Sequence, residues 1–445
     1  MLLDAALAGS TARVRELLGE GCIAVNEADE EGYTALYRAS QRGHVALVAL
    51  LVEVGAKVDQ AKTSGSTPLC VASQKGHLEV VAALIAAGAT VGKAKVDGCT
   101  PLYVASQQGK VEVVLALVAA GAVIDQADNE GCTPLFIASQ NGHLEVVTTL
   151  IEAGATIDQG DEDGATSLYI ACQDGHVGVA EALVEAGAMV NQARYDGYTP
   201  LLVASQHGYM ETVTMLIKAK AKVDQPDDDG IAPLFIASQN AHFEVVTALI
   251  EGKATVDEAD KDGATPLYIA SQNGHLEVAT TLMEAGANVN KAQKDGRTPI
   301  YLASTNGHAP IVQALIDAGA RTAELMYRGS FSPLHVASEK GHLECVRVLT
   351  GFRPYVPGWI TFLAGATSKK EFEAHLSPPA NRPPTYLPMI FDRAYLELIW
   401  KLQRERYSDL HLQTGGINSA TALELAEAEE KTDVAKLLRG MMVMP

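Results

Sequence analysis

Apolar and polar positions follow one fixed order along most of this chain. In residues 262–294, DGATPLYIASQNGHLEVATTLMEAGANVNKAQK, Thr265 and Pro266 stand before a short apolar run. A Thr hydroxyl accepts an orphan amide at a helix start, and Pro at the first helical position gives up no bond. The run predicts a first helix that turns Leu267 and Ala270 inward and stops at Asn273-Gly274. Val278, Ala279, Leu282 and Met283 then recur at helical spacing and predict a second helix with one apolar stripe. Gly286 suits the left-handed residue that closes such a helix. Ala287 to Asp295 reads as an extended finger that returns at the turn pair Asp295-Gly296.

The same order comes back again and again. Glycine stands at Gly32, Gly65, Gly98, Gly131, Gly164, Gly197, Gly230, Gly263, Gly296 and Gly329, each 33 residues after the last. Such a period means stacked units, because two helices and a finger cannot enclose a core and each needs its neighbour as the other wall. The fold class is therefore an all-α solenoid of helix-turn-helix units with β-turn fingers, elongated and, with layers about 10 Å apart, on the order of 100 Å long. Residues 1–29 read as a worn N-terminal capping repeat in which Val14, Leu17 and Leu18 keep the second stripe and Arg13, Arg15, Glu16 and Glu20 face outward. Ten full repeats fill 30–350, a Pro- and aromatic-rich insertion 351–418, and a C-terminal capping repeat 419–445.

The period, the TPL opening, the GH between helices and the AGA after the second helix resemble the ankyrin repeat. The likeness runs over about residues 1–350 and resumes near Ser419. The chain departs from the family pattern at the fourth opening position, where only His335 keeps the usual histidine and Tyr37, Tyr103, Phe136, Tyr169, Phe235, Tyr268 and Tyr301 are aromatic. These rings read as wedges between layers, with an exposed ladder for a partner as the alternative. At the end of the first helix run a Gln column, which includes Gln140, Gln206 and Gln239, and a varied column of Arg42, Lys75, Gln108, Asn141, Asp174, His207, Asn240, Asn273 and Asn306. Packing does not demand polar residues there, so both columns are expected to face solvent. The resemblance implies that they line the concave face that grips partner proteins.

Repeats six and seven break several rules together. Lys220 and Lys253 occupy the helix-ending glycine position, Ala232 replaces the capping Thr, and Ala241 replaces the glycine between helices. A soft segment between Lys218 and Lys253 is expected from these losses.

Within the insertion, Asp392 to Tyr407 reads as an amphipathic helix. Pro383, Pro384 and Tyr386 match the PPxY ligand of a WW-domain protein, whose stiff polyproline conformation limits the entropy lost on docking.

A formal net charge of −20 argues against nucleic acid or an anionic membrane as partner and admits a basic protein segment. Asp158, Asp161, Glu162 and Asp163, and again Asp224, Asp227, Asp228 and Asp229, gather carboxylates at the fingers, but the Asp/Asn ladder ending in a Glu that a calcium loop needs is missing. The GH histidines recur one per layer, too far apart to share a metal, and read as turn residues held by backbone. Six scattered cysteines suit a reducing compartment, and neither a signal peptide nor a membrane span is expected. With no nucleophile and base, phosphate loop or metal set, no catalytic residue and no cofactor is assigned. The expected function is a monomeric protein-binding scaffold of the cytoplasm, with the nucleus as the alternative location. A ubiquitin-ligase adaptor using the PPxY site, or a regulatory subunit of an enzyme, are the alternative functions.

Overall fold

The computed structural model describes residues 1–19, 24–322 and 332–351. Among these residues every regular element is helical, and the helices come in pairs from Leu2–Leu7 and Thr11–Gly19 to Pro333–Lys340 and Leu343–Leu349. The expected PPxY residues, most of the insertion, the C-terminal cap, Cys22, Glu20 and Gly329 lie outside the described residues.

Seven first helices begin with the cap that their sequence dictates, while Thr298 makes no such bond. The hydroxyls of Thr34, Thr67, Thr100, Thr133, Thr166, Thr199 and Thr265 accept the amide three residues on, at 3.1–3.2 Å. In Pro134–Gln140 all of Pro134 to Ser139 is buried, as expected for a helix with neighbours on several sides. The second helix, Leu144–Glu152, buries only the stripe Val146, Val147 and Leu150 and leaves Glu145 and Thr148 in water. In residues 262–294 the stripe is Val278, Ala279 and Leu282, while Met283 is half-buried at its edge. Leu18 in the first repeat is likewise half-buried, beside buried Val14 and Leu17.

The described residues form two compact units, Met1–Asn240 with Glu244–Ala254, and Ala241–Phe243 with those described from Thr255 onward. Within the first unit, first helices stack on first helices from Leu2–Leu7 to Pro233–Gln239. Leu36, Leu69, Leu102, Leu135, Leu168, Leu201 and Leu234 fill that stack at no more than 1% exposure. In the second unit Pro266–Asn273, Pro299–Thr305 and Pro333–Lys340 stack the same way over Leu267 and Ile300. Buried serines at 139, 205 and 238 donate back to the carbonyls of Leu135, Leu201 and Leu234, which satisfies them inside an apolar layer.

Where the second helix ends, the repeats place glycine at positive φ, for example 84° at Gly121 and 91° at Gly154. A side chain there would meet nothing within 4 Å, so the cost of replacing glycine is backbone strain alone. Lys220 and Lys253 keep that conformation, at φ 65° and 73°. Ala241 keeps it between helices at 61°, and Ala232 caps its helix with no side-chain bond.

Candidate partner-binding surface

The polar columns end the buried first helices, so the packing that fixes each helix also fixes where its last residues emerge. Arg42, Lys75, Gln108, Asn141, Asp174, His207, Asn240, Asn273 and Asn306 are all exposed. The Gln column differs from expectation. Gln41, Gln107, Gln140, Gln173, Gln206, Gln239 and Gln272 are half-buried, and Gln74 alone is exposed among them.

The next repeat supplies the reason. His77, His143 and His176 each place Nε2 3.0–3.2 Å from the carbonyl of Gln41, Gln107 and Gln140, and His308 does so at 3.0 Å from Gln272. A carbonyl only accepts, so Nε2 carries the proton and donates. The last carbonyls of a helix lack partners within it, and these bonds fill one in each of these four layers. The histidines are thus held by backbone, though by the backbone of the repeat before. Each ring also lies on that repeat's glycine: a Cβ at Gly142 would sit 2.6 Å from His176. Two members of the varied column also tie layers together, since Asn240 and Asn306 donate to the carbonyls of Gln206 and Gln272 at 2.9 and 2.7 Å.

The aromatic column is a set of wedges. Tyr37, Tyr103, Phe136, Tyr169, Phe235 and Tyr268 are 2–5% exposed, and Tyr301 is half-buried. Their tips find polar partners: Tyr268 donates to Gln293 at 2.6 Å, Tyr37 lies 3.4 Å from Ser66 Oγ, and Arg194 donates to Tyr169 at 3.4 Å. Burial, and then the Asp128 carboxylate, push the Tyr103 phenol well above its ordinary value.

The fingers carry the second surface. Each tip hands its amide to the finger before, as in Glu162 to Glu130 at 3.1 Å and Tyr195 to Asp163 at 3.0 Å. A register unnoticed in the sequence joins their bases across 31 residues. Asp125 accepts from the Thr156 amide at 3.0 Å and hydroxyl at 2.7 Å, Asp59 does the same for Thr90, and Asn191 accepts from Lys222 at 2.8 Å.

The acidic runs divide by role. Asp161 accepts from the amides of Asp163 and Ala165, Asp227 from those of Asp229 and Ile231, and Asp158 from Met189. Asp161 and Asp227 thus shape their own turns, while Asp158 ties its finger to the next. Glu130, Glu162, Asp163, Asp228 and Asp229 remain exposed at the tips, with Tyr195 between them at 78% exposure.

Among the described residues no group of His, Cys, Asp and Glu is placed to hold a metal ion, and no helix is long and apolar enough to cross a membrane. Cys70, Cys99, Cys132, Cys172 and Cys345 are buried free thiols. Burial pushes the Cys99 and Cys132 thiols up to about 12, helped by the carboxylates of Asp97 and Asp128.

No curated protein matches the chain. Among solved structures, the ankyrin repeat domain of human ASB11 is similar at 26% identity, over 50% of this chain and 99% of that one, with a TM-score of 0.47. The family model for ankyrin repeats (3 copies) matches residues 2–95, 90–161, 155–227, 219–293 and 286–354. The chain belongs to the ankyrin repeat family, whose repeats are in general protein–protein interaction modules.

Proposed function

We propose that this chain is a non-catalytic scaffold that holds partner proteins along its polar helix-end columns and finger tips. The observation that carries this reading is the varied column, which is exposed in all nine repeats from Arg42 to Asn306 while the helix behind it is buried. A rigid backbone with changeable side chains is what a binding face needs, since a few anchors dominate affinity. At the fingers of residues 128–230, Glu130, Glu162, Asp163, Asp228 and Asp229 with the Tyr195 ring favour a Lys/Arg-rich partner segment, by charge and by cation–π contact. Buried, high-pKa thiols suit a reducing compartment such as the cytoplasm. The adaptor alternative rests on Pro383, Pro384 and Tyr386 alone, and no structural observation favours it.

The test is affinity capture from native extract with two variants of the full chain. One changes Asn141, Asp174 and His207 to Ala, and the other changes Glu162, Asp163, Asp228 and Asp229 to their amides. Loss of partner proteins from either, with the melting curve kept, supports the reading. Full retention by both removes it.

A further inference from the structure

The charge along the first five members of the varied column is ordered, before His207 and Asn240 follow. It runs Arg42, Lys75, Gln108, Asn141, Asp174, from cationic through neutral to anionic. At its cationic end an open cavity of about 420 Å³ is lined by Gln41, Arg42, Lys75 and His77, with no carboxylate in its wall. In a chain with 54 acidic and 34 basic residues, a wall of this kind runs against the average.

The donors there are not engaged in ion pairs. Three other arginines of the first unit meet acid, Arg13 with Glu16 at 2.7 Å, Arg38 with Asp29 at 3.7 Å and Arg194 with Asp196 at 3.1 Å, while among the described residues Arg15 does not. Among the described residues neither Arg42 nor Lys75 makes such a pair. The Gln41 Oε1 already accepts from Arg38 at 3.4 Å, which leaves that amide its N–H donors. His77 is committed through Nε2 to the Gln41 carbonyl and forms the wall. Lys110 stands where other repeats carry histidine, and its stem lies against Gly76, next in the chain to Lys75. The cavity therefore offers guanidinium, ammonium and amide donors, and its complement is a group that only accepts.

Resting on the scaffold reading above, we propose that this cavity docks an acidic segment of a partner protein, with Arg42 and Lys75 each taking one carboxylate. The spacing sets a sequence rule. Equivalent residues of successive repeats lie about 10 Å apart. A chain in the polyproline II conformation advances about 3.1 Å per residue with three residues per turn, so carboxylates three residues apart lie on one face and span about that step. The partner reads Asp/Glu-x-x-Asp/Glu.

The probe is a fluorescein-labelled, extended peptide carrying two glutamates three residues apart in a Gly/Ser background, measured by anisotropy with the full chain. A control peptide places the glutamates side by side. The intact chain should bind the spaced peptide more tightly than the control, and binding should weaken steeply between 50 and 300 mM salt, on the order of the screening expected for exposed pairs. Arg42→Gln with Lys75→Gln should weaken it by about tenfold, and Arg42→Glu with Lys75→Glu by about a hundredfold. Thr148→Ala, exposed on a second helix away from the columns and the fingers, should leave it unchanged, and the variants should keep the helical circular dichroism of the parent.

Absent binding by the intact chain, equal binding of the two peptides, or equal binding by the Glu variant would each overturn the proposal. Displacement of the peptide by inorganic phosphate or a short RNA at lower concentration would overturn the occupant. Concentration-dependent self-association lost in the Glu variant would assign the cavity to a second copy instead. Retained capture of partner proteins beside a failed peptide experiment would sink this inference and leave the scaffold reading standing.

Discussion

The four irregular positions of repeats six and seven permit a quantitative test of how backbone strain distributes along the stack. Lys220, Ala241 and Lys253 sit at φ 65°, 61° and 73°, where an L side chain costs about 1–2 kcal/mol. Glycine at such a site relieves that strain but loosens the unfolded chain by about 0.4–1 kcal/mol, so each replacement returns about 0.5–1 kcal/mol. Ala232→Thr restores the hydroxyl that Thr133 and Thr265 use on their third amides, worth about 1 kcal/mol. The combined variant K220G, A241G, K253G and A232T should therefore gain about 3 kcal/mol against local opening, or roughly a hundredfold slower exchange. Hydrogen exchange with mass spectrometry reads this directly. In the parent, residues 218–253 should exchange faster than the regular 152–187. In the variant, the difference should close. Gly154→Lys, placed where a Cβ meets nothing, should produce the reverse effect and speed exchange around it by up to about tenfold. Equal protection of the two segments in the parent, or an unchanged segment in the variant, would refute the reasoning.

Three further outcomes are expected. His143→Ala should cost about 1 kcal/mol in urea unfolding, because the half-buried Gln107 carbonyl loses the donor at 3.0 Å. Burial holds the His335 imidazole below the usual 6.5, with Nδ1 accepting from the Ser332 amide at 3.2 Å. The unfolded chain then binds the extra proton, so the stability of this repeat should be full above about pH 6.5 and fall as pH drops toward the folded value, a slope that His335→Gln should flatten in amide exchange around 332–349. Cys99 and Cys132, with thiols pushed up to about 12, should resist iodoacetamide at pH 8 in the native chain and react once urea unfolds it.

The helices, their caps and the wedge role of the aromatic column could be read from residues because those features follow from local rules and a strict period. Thr265-Pro266 starts a helix whatever surrounds it, and Tyr268 recurs where only a layer interior recurs. What escaped reading is bonding between layers. The half-buried Gln column looked solvent-facing because its side chains are polar, whereas its depth comes from the histidine that covers its carbonyl one repeat later. Asp125 with Thr156 is a contact across 31 residues whose only signal was a repeated Asp or Asn in the finger. The structural acids Asp161 and Asp227 cannot be told from the exposed Glu162 and Asp228 by residue type, because only turn geometry separates them. For the surface, the exposure of the varied column was legible and its charge order was present in the letters, but the acid-free wall around Arg42 and Lys75 needed coordinates.

The histidine that reaches back one layer bears on how such a chain can lengthen or shorten over generations. His143 meets the Gln107 carbonyl and His176 meets that of Gln140, so donor and acceptor recur with the same period as the gene segment that encodes them. Excise 33 residues between the two layers, and His176 would meet Gln107 with the same geometry that His143 did. Duplicate them, and every new carbonyl arrives with its new imidazole. The bonding leaves no scar at either kind of junction, and unequal recombination can edit the number of layers without a compensating mutation elsewhere.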